Sequence, residues 1–424
     1  MDRSCLLLFL FLCSLLNAAE SDERWVSINN GAFGNETVNA MVCKGEDLYI
    51  GGTFGAVNGV TASNIARLDI SSGTWYPLGT GVDNVVWHLA MDGAGTLFAS
   101  GYFQNAGGIA VDDLARWDGA AWSAVESGNV TALVSNEEGN IYAAIGDTGG
   151  YQGRQWFYEV NLWNGSTWTT IGSFNGEVTA LANKGPGSLY AAGYFTAANN
   201  IAVNHIVKLT GTTATTLGNG LDNAPKMLMV DNDGILYAAG YFGIDGVPAA
   251  NRVVRWDGTA WSVLGGAMNG EVDTIAVHEN GDLYVGGHFT TAADMEAASI
   301  ARWDGAAWHP LGSGVDGSVY ALAIDEEGDL LVGGKFSTAG GKSSPFVAKW
   351  MTMDDEPAMP DIDELPEEDL SPSDKDIVDT DPAVTDNEVP DEAGDELLGD
   401  EDAFIPGADT DKPADNGCGC SLAF

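Results

Sequence analysis

Short apolar runs alternate with Gly, Asp and Asn along most of the chain, and the alternation has a period. The run "LYIGGTF" beginning at Leu48 returns as "LFASGYF" at Leu97, "LYAAGYF" at Leu189 and Leu236, "LYVGGHF" at Leu283 and "LLVGGKF" at Leu330. A degenerate copy, "IYAAIGD", begins at Ile141, and successive starts lie 49, 44, 48, 47, 47 and 47 residues apart. Seven units of 47 residues fill the 329 residues from Trp25 to Met353. The sixth unit reads "VDTIAV", "LYVGGHF", "SIARW" and "WHPLG", with "HENGD" and "DGAA" as tight connections and a longer one in the middle. Runs of four to seven β-prone residues between turn residues predict strands. Four antiparallel strands every ~45 residues predict an all-β chain folded as a seven-bladed β-propeller.

The two ends of the repeat region predict how the ring closes. The seventh unit runs through "VYALAI", "LLVGGKF" and "FVAKW" and then lacks a fourth strand. The missing piece stands at the other end, where "RWVSINNG" from Arg24 has the form of "TWYPLGTG" and "AWHPLGSG". The first strand of the domain is therefore expected to complete the last blade, removing an open sheet edge that invites aggregation.

The composite pattern V-x-A-L-A, L-Y-V-G-G-x-F, I-A-R-W-D-G-x-x-W-x-x-L-G resembles propeller repeats of many bacterial secreted and surface proteins. It is also similar to the extracellular propeller of fungal cortical polarity markers. The resemblance spans the whole repeat region, implies the propeller fold and carries no catalytic residues. The dipeptide "WD" does not make it a WD40 repeat, because Gly-His occurs once, at Gly287 and His288. "NGSTW" from Asn164 matches the end of a sialidase Asp box, but Trp163 stands where that box has its aspartate.

A position filled in every blade serves the blade. The Asp-Gly and Asn-Gly pairs supply the positive backbone angles of a tight hairpin. The tryptophans on either side are expected on one face of that hairpin, covering a seam between blades. The basic residue ahead of them (Arg67, Arg116, Lys208, Arg255, Arg302, Lys349) is expected to pair with turn carboxylates or to pack its stem. No cofactor is expected. Calcium is the alternative for Asp-rich turns such as Asp231–Gly234, which otherwise have the form of hairpin turns, and for the acidic C-terminal segment, which lacks an EF-hand spacing.

Departures from the repeat point to a site. Eleven of the thirteen tryptophans flank the hairpin turn, and Trp87 and Trp156 do not. Trp87 opens the first strand of the second blade, where the other blades have Asn39, Thr131, Thr179, Lys226, Asp273 and Tyr320. Trp156 lies in "TGGYQGRQWFYE", with Tyr151, Arg154 and Tyr158, in a third-blade loop that has lost its glycine pair. Blade topology predicts both at one end of the ring, where aromatic, amide and charged groups make a surface for a sugar ring or a protein loop.

Charge and the terminal segments add the setting. Arg3, an apolar run from Cys5 to Leu16 and "NAAE" predict a secretory signal peptide over residues 1–19, too short to span a bilayer. The mature chain has no segment that approaches a membrane span. Residues 354–424 hold 25 of the 61 acidic residues and eight of the 14 prolines, which predicts a disordered, self-repelling tail. A net charge of −44 argues against nucleic acid. Three cysteines after the leader form no disulfide framework or zinc site. The terminal "NGCGCSLAF" resembles the cysteine-containing sorting tails of some exported Gram-negative proteins, which implies anchoring through Cys418 or Cys420.

The expected function is an exported, surface-displayed, monomeric module that binds or adheres to a protein or glycan at one propeller face. The rival is a polysaccharide lyase or glycoside hydrolase acting over the central channel, for which His88, Lys226, Asp273 and Tyr320 are the available groups. A structural cell-surface scaffold is the third reading.

Overall fold

A computed structural model describes residues 21–29, 36–125, 128–136, 138–146, 158–183, 185, 187–244 and 246–352. The leader, the acidic segment after residue 352, and Tyr151, Arg154, Trp156, Cys418 and Cys420 lie outside the described residues. The described residues form a seven-bladed β-propeller. Each blade is an antiparallel sheet built of four strands, and in six blades those four are consecutive along the chain apart from short added ribbons. The inner strands are Thr37–Lys44, Val86–Met91, Asn129–Ser135, Val178–Asn183, Met227–Val230, Glu271–Val277 and Ser318–Ile324. Each packs beside the inner strand of the next blade, and Ser318–Ile324 packs back against Thr37–Lys44.

The seventh blade is completed from the other end of the chain. Trp25–Ser27 pairs antiparallel with Val347–Trp350, with Trp25 opposite Trp350. The two indoles meet edge to face at 5.2 Å, and both are buried. Around this strand, Arg24 Nε donates to the Met351 carbonyl at 2.6 Å and Lys342 Nζ to the Trp25 carbonyl at 2.7 Å. The expected N-terminal closure is therefore the one formed.

Blades join through their tryptophans. The paired indoles Trp117/Trp122, Trp163/Trp168, Trp256/Trp261 and Trp303/Trp308 lie directly across their hairpins, with ring centroids 5.1 to 5.5 Å apart. The second member crosses to the preceding blade. Trp122, Trp261, Trp308 and Trp25 donate Nε1–H to the carbonyls of Leu78, Leu217, Leu264 and Leu311. The Leu-Gly that ends one blade thus accepts the indole of the next, including at Leu217, where Ala214 stands in place of the tryptophan.

The other repeated residues also serve the scaffold. Arg67 and Arg302 pair with the turn carboxylates of Asp47 and Asp282, each at 2.9 Å, and Lys349 pairs with Asp325 and Asp329. Arg116 and Arg255 donate instead to Ser123 and Ser262, and Lys208 lies over the Tyr190 ring. In the "DG" turns, Asp118, Asp257 and Asp304 accept two backbone N–H groups each, while Gly119, Gly258 and Gly305 adopt φ near 95°. Those hydrogen bonds hold the Asp257 and Asp304 carboxyls down at about 2. The Asp231 turn is a hairpin of the same kind, its carboxylate accepting from the N–H groups of Asp233 and Ile235. Among the described residues no group of three His, Cys, Asp or Glu side chains is placed to hold a metal ion.

Candidate functional site at the channel mouth

The glycine pair builds the site. A Cβ on Gly52, Gly101, Gly193, Gly287 or Gly334 would stand about 2.0 Å from a backbone carbonyl at the start of its own inner strand. That close approach accommodates a β-bulge. In five blades the register slips by one residue there, between Val38 and Ala40, Val86 and His88, Val178 and Ala180, Val272 and Thr274, and Val319 and Ala321, and the third blade slips likewise between Val130 and Ala132 with Ile145 in the glycine's place. The residues left out of register are Asn39, Trp87, Thr131, Thr179, Asp273 and Tyr320. A bulged residue is freed from the strand's in-and-out alternation and re-aimed. The fifth blade reaches the same end differently, with Lys226 just ahead of its inner strand and its N–H on the Ala239 carbonyl at 2.8 Å.

These are the positions that vary most among the repeats, and the fold brings them together around one end of the central channel. Asn39, Trp87, Thr179, Lys226, Asp273 and Tyr320 all line it. Several are linked from blade to blade. Asn39 Nδ2 donates to Val86 O at 3.1 Å, Thr131 Oγ1 to Val178 O at 2.6 Å, and Thr179 Oγ1 to Pro225 O at 3.2 Å. Each acceptor is the residue just ahead of the next blade's mouth residue. Lys226 Nζ continues the belt to Asp273 at 2.7 Å and Glu271 at 2.5 Å. Burial works against the Lys226 charge, but those carboxylates outweigh it and hold the ammonium above its ordinary value. The Lys226 ammonium in turn holds the Glu271 carboxyl below its usual value. Beneath the mouth the channel wall is mostly apolar, with Met41, Leu89, Leu133, Leu181, Ile275 and Leu322 beside His88, Asn183 and Thr274, and mouth and channel together enclose about 490 Å³.

Trp87 stands at this rim. It is 43% exposed and meets Tyr102 edge to face, centroids 6.2 Å apart. A pocket of about 660 Å³ beside it is lined by Thr37, Asn39, Thr53, Asn84, Val85, Trp87, Asp273, Tyr320 and Lys335. Its size suits a small ligand.

The remaining candidates are distributed differently. His88 is a part-buried residue of the channel wall with Nδ1 on the Ser100 hydroxyl at 3.1 Å, and burial pulls its pKa down to about 4. Tyr158 opens its strand opposite Phe174 and packs part-buried against the core shared by the third and fourth blades. Neither belongs to the exposed rim.

Sequence reasoning missed Tyr102, Tyr194 and Tyr241, each between 56% and 60% exposed. They occupy the x of "G-G-x-F", beside a scaffold glycine, and so read as scaffold. Their signal was available: that x is Thr53, Tyr102, Tyr194, Tyr241, His288 or Lys335, while its neighbours hardly change.

Comparison with known proteins agrees with the architecture. Residues 257–379 match the family model of the Rax2 C-terminal beta propeller domain, and residues 48–69 match a beta-propeller domain of unknown function. No curated protein matches the chain in sequence. Among solved structures, the WD40 beta propeller domain of Doa1 superposes with a TM-score of 0.50 at 13% identity, over 77% of this chain and 96% of that one. The RRP9 WD40 repeats give 0.51 at 11% identity, over 78% and 98%. The extracellular domain of a hybrid two component system from B. thetaiotaomicron gives 0.50 at 12% identity, over 77% of this chain and 41% of that one. At these identities the likeness is one of fold. No helix among the described residues is long and apolar enough to cross a membrane.

Proposed function

We propose that the protein is a non-catalytic binding module, exported and displayed at the cell surface, that engages a protein or glycan ligand at the channel mouth. The observation that carries this reading is the ring of bulge positions. The residues that differ most from blade to blade are the ones re-aimed to a shared opening, and the most prominent is a half-exposed tryptophan above a mostly apolar channel.

Two further features support it. Asp273 is tied to Lys226, and His88 to Ser100, so three of the four groups on which a catalytic reading depends are engaged within the protein. Chain direction matters too. The closing strand begins, and the last strand ends, at the Trp25–Trp350 pair, which lies at the hairpin-turn end of the blade, away from the mouth. The described chain therefore ends, at residue 352, on the face opposite the mouth.

The test is a panel of immobilised glycans and surface proteins probed with the full chain and with Trp87→Ala. Binding weakened by about tenfold or more in the variant, with an unchanged melting temperature, is expected. A ligand bound equally by both would overturn the assignment of the mouth. Polysaccharide turnover that is lost in Asp273→Asn would overturn the non-catalytic reading.

A further inference from the structure

Cations are scarce in this chain, 17 against 61 acidic residues, and the fold uses nearly all the described ones. Arg67, Lys226, Arg302 and Lys349 are held by carboxylates. The others are held by backbone carbonyls, serine hydroxyls or an aromatic face. Among the described residues Lys335 is the cation left with no partner, and it is exposed to solvent.

Its position is specific. Lys335 takes the x of "G-G-x-F" in the seventh blade, where the second, fourth and fifth blades carry exposed tyrosines. There it lines the 660 Å³ pocket with Trp87 and Tyr320. The one carboxylate of that lining, Asp273, is paired with Lys226, which it shares with Glu271. The rest is hydroxyl and amide: Thr37, Thr53, Asn39 and Asn84. Asn84 Oδ1 caps the Val85 N–H, leaving its amide NH2 without a partner, and Asn39 Nδ2 is spent on Val86, leaving its oxygen as an acceptor. An indole face, a free ammonium and neutral groups that both donate and accept form a complementary set. They match a pyranose whose C–H face lies on the ring, whose hydroxyls meet the amides and whose carboxylate meets the lysine.

We propose that this corner of the mouth binds an acidic sugar, a pyranose bearing a carboxylate, with the sugar ring on Trp87 and the carboxylate on Lys335. The proposal rests on the reading of the mouth as the binding face and narrows its ligand class. An acidic peptide shares the charge, but it does not use the density of neutral hydroxyl and amide groups around Trp87.

The test uses the full chain and titration calorimetry with trigalacturonate, its methyl ester, and a sialylated trisaccharide beside its asialo form. The acid forms are expected to bind about tenfold or more tightly than their neutral counterparts, with the preference shrinking as salt rises. Lys335→Met is expected to abolish the preference and leave the neutral forms unaffected. Lys335→Arg should restore it, and Trp87→Ala should weaken both forms. Equal affinity for acid and neutral forms, or a preference that survives Lys335→Met, would overturn the proposal. Absence of sugar binding alongside a protein or peptide ligand that Trp87→Ala weakens would also overturn it, leaving the mouth as a binding face. A ligand indifferent to Trp87→Ala would remove the mouth itself.

Discussion

The indole of Trp87 and the phenol ring of Tyr102 meet at 79° across 6.2 Å, joining a residue that breaks the repeat to one that obeys it. Trp87 is the bulged residue of its blade's inner strand, and Tyr102 follows the Gly101 whose missing Cβ makes room for that bulge. The edge-to-face contact supports a large exposed ring at one orientation, which lowers the entropy lost when a ligand covers it.

Tyr102 is accordingly a positioning residue. Tyr102→Ala is expected to weaken ligand binding by a few-fold, about 0.5–1.5 kcal/mol, while Tyr102→Phe retains it. Calorimetry on the ligand found for the wild type reads this directly. Equal losses in the two variants would mean that the phenol hydroxyl, not the ring contact, matters.

Indole donation between blades should be measurable in stability. Trp261→Phe leaves the Leu217 carbonyl without its donor, and a buried unsatisfied group costs about 1–3 kcal/mol. Trp256 stands across the same hairpin without donating to another blade, so Trp256→Phe should cost less. Urea denaturation midpoints rank the two, and the reverse order would refute the assignment of the seam to the second tryptophan.

Closure is expected to govern aggregation. Trp25→Ala empties a site that is 1% exposed and removes the donor to Leu311, a loss of about 3–5 kcal/mol. Loosening that strand exposes the edge of Val347–Trp350, so light scattering on mild heating should rise earlier than in the wild type. A variant that melts lower yet stays monodisperse would separate closure from edge protection.

His88 sets an acid dependence. Burial holds its pKa near 4, whereas an unfolded histidine ionises near 6.5, so between those values the unfolded chain binds more protons than the folded one. Its contribution is whole above pH 6.5 and declines as pH falls towards 4, by at most about 3 kcal/mol. Stability measured at pH 7 and pH 4.5 should fall less in His88→Gln than in the wild type. Equal falls would place the acid sensitivity elsewhere.

The sequence alone determined the ring, the number of blades and the closing strand. Those follow from spacing and period, and every blade meets the same packing problem with the same residues. It also separated Trp87 from the hairpin tryptophans, because that position varies while its neighbours do not. Only the tertiary structure decided what the variation means. A one-residue slip, made possible by a glycine 13 or 14 residues downstream on the paired strand, re-aims Asn39, Trp87, Asp273 and Tyr320 to one opening across four blades. The same end gathers Tyr102, Tyr194 and Tyr241, which repetition disguised as scaffold, and it leaves Lys335 without a counter-ion. Periodicity reports the backbone that neighbouring residues share. Which side chains converge across blades depends on bulges and ring closure, which bring together residues separated by hundreds of positions in the chain.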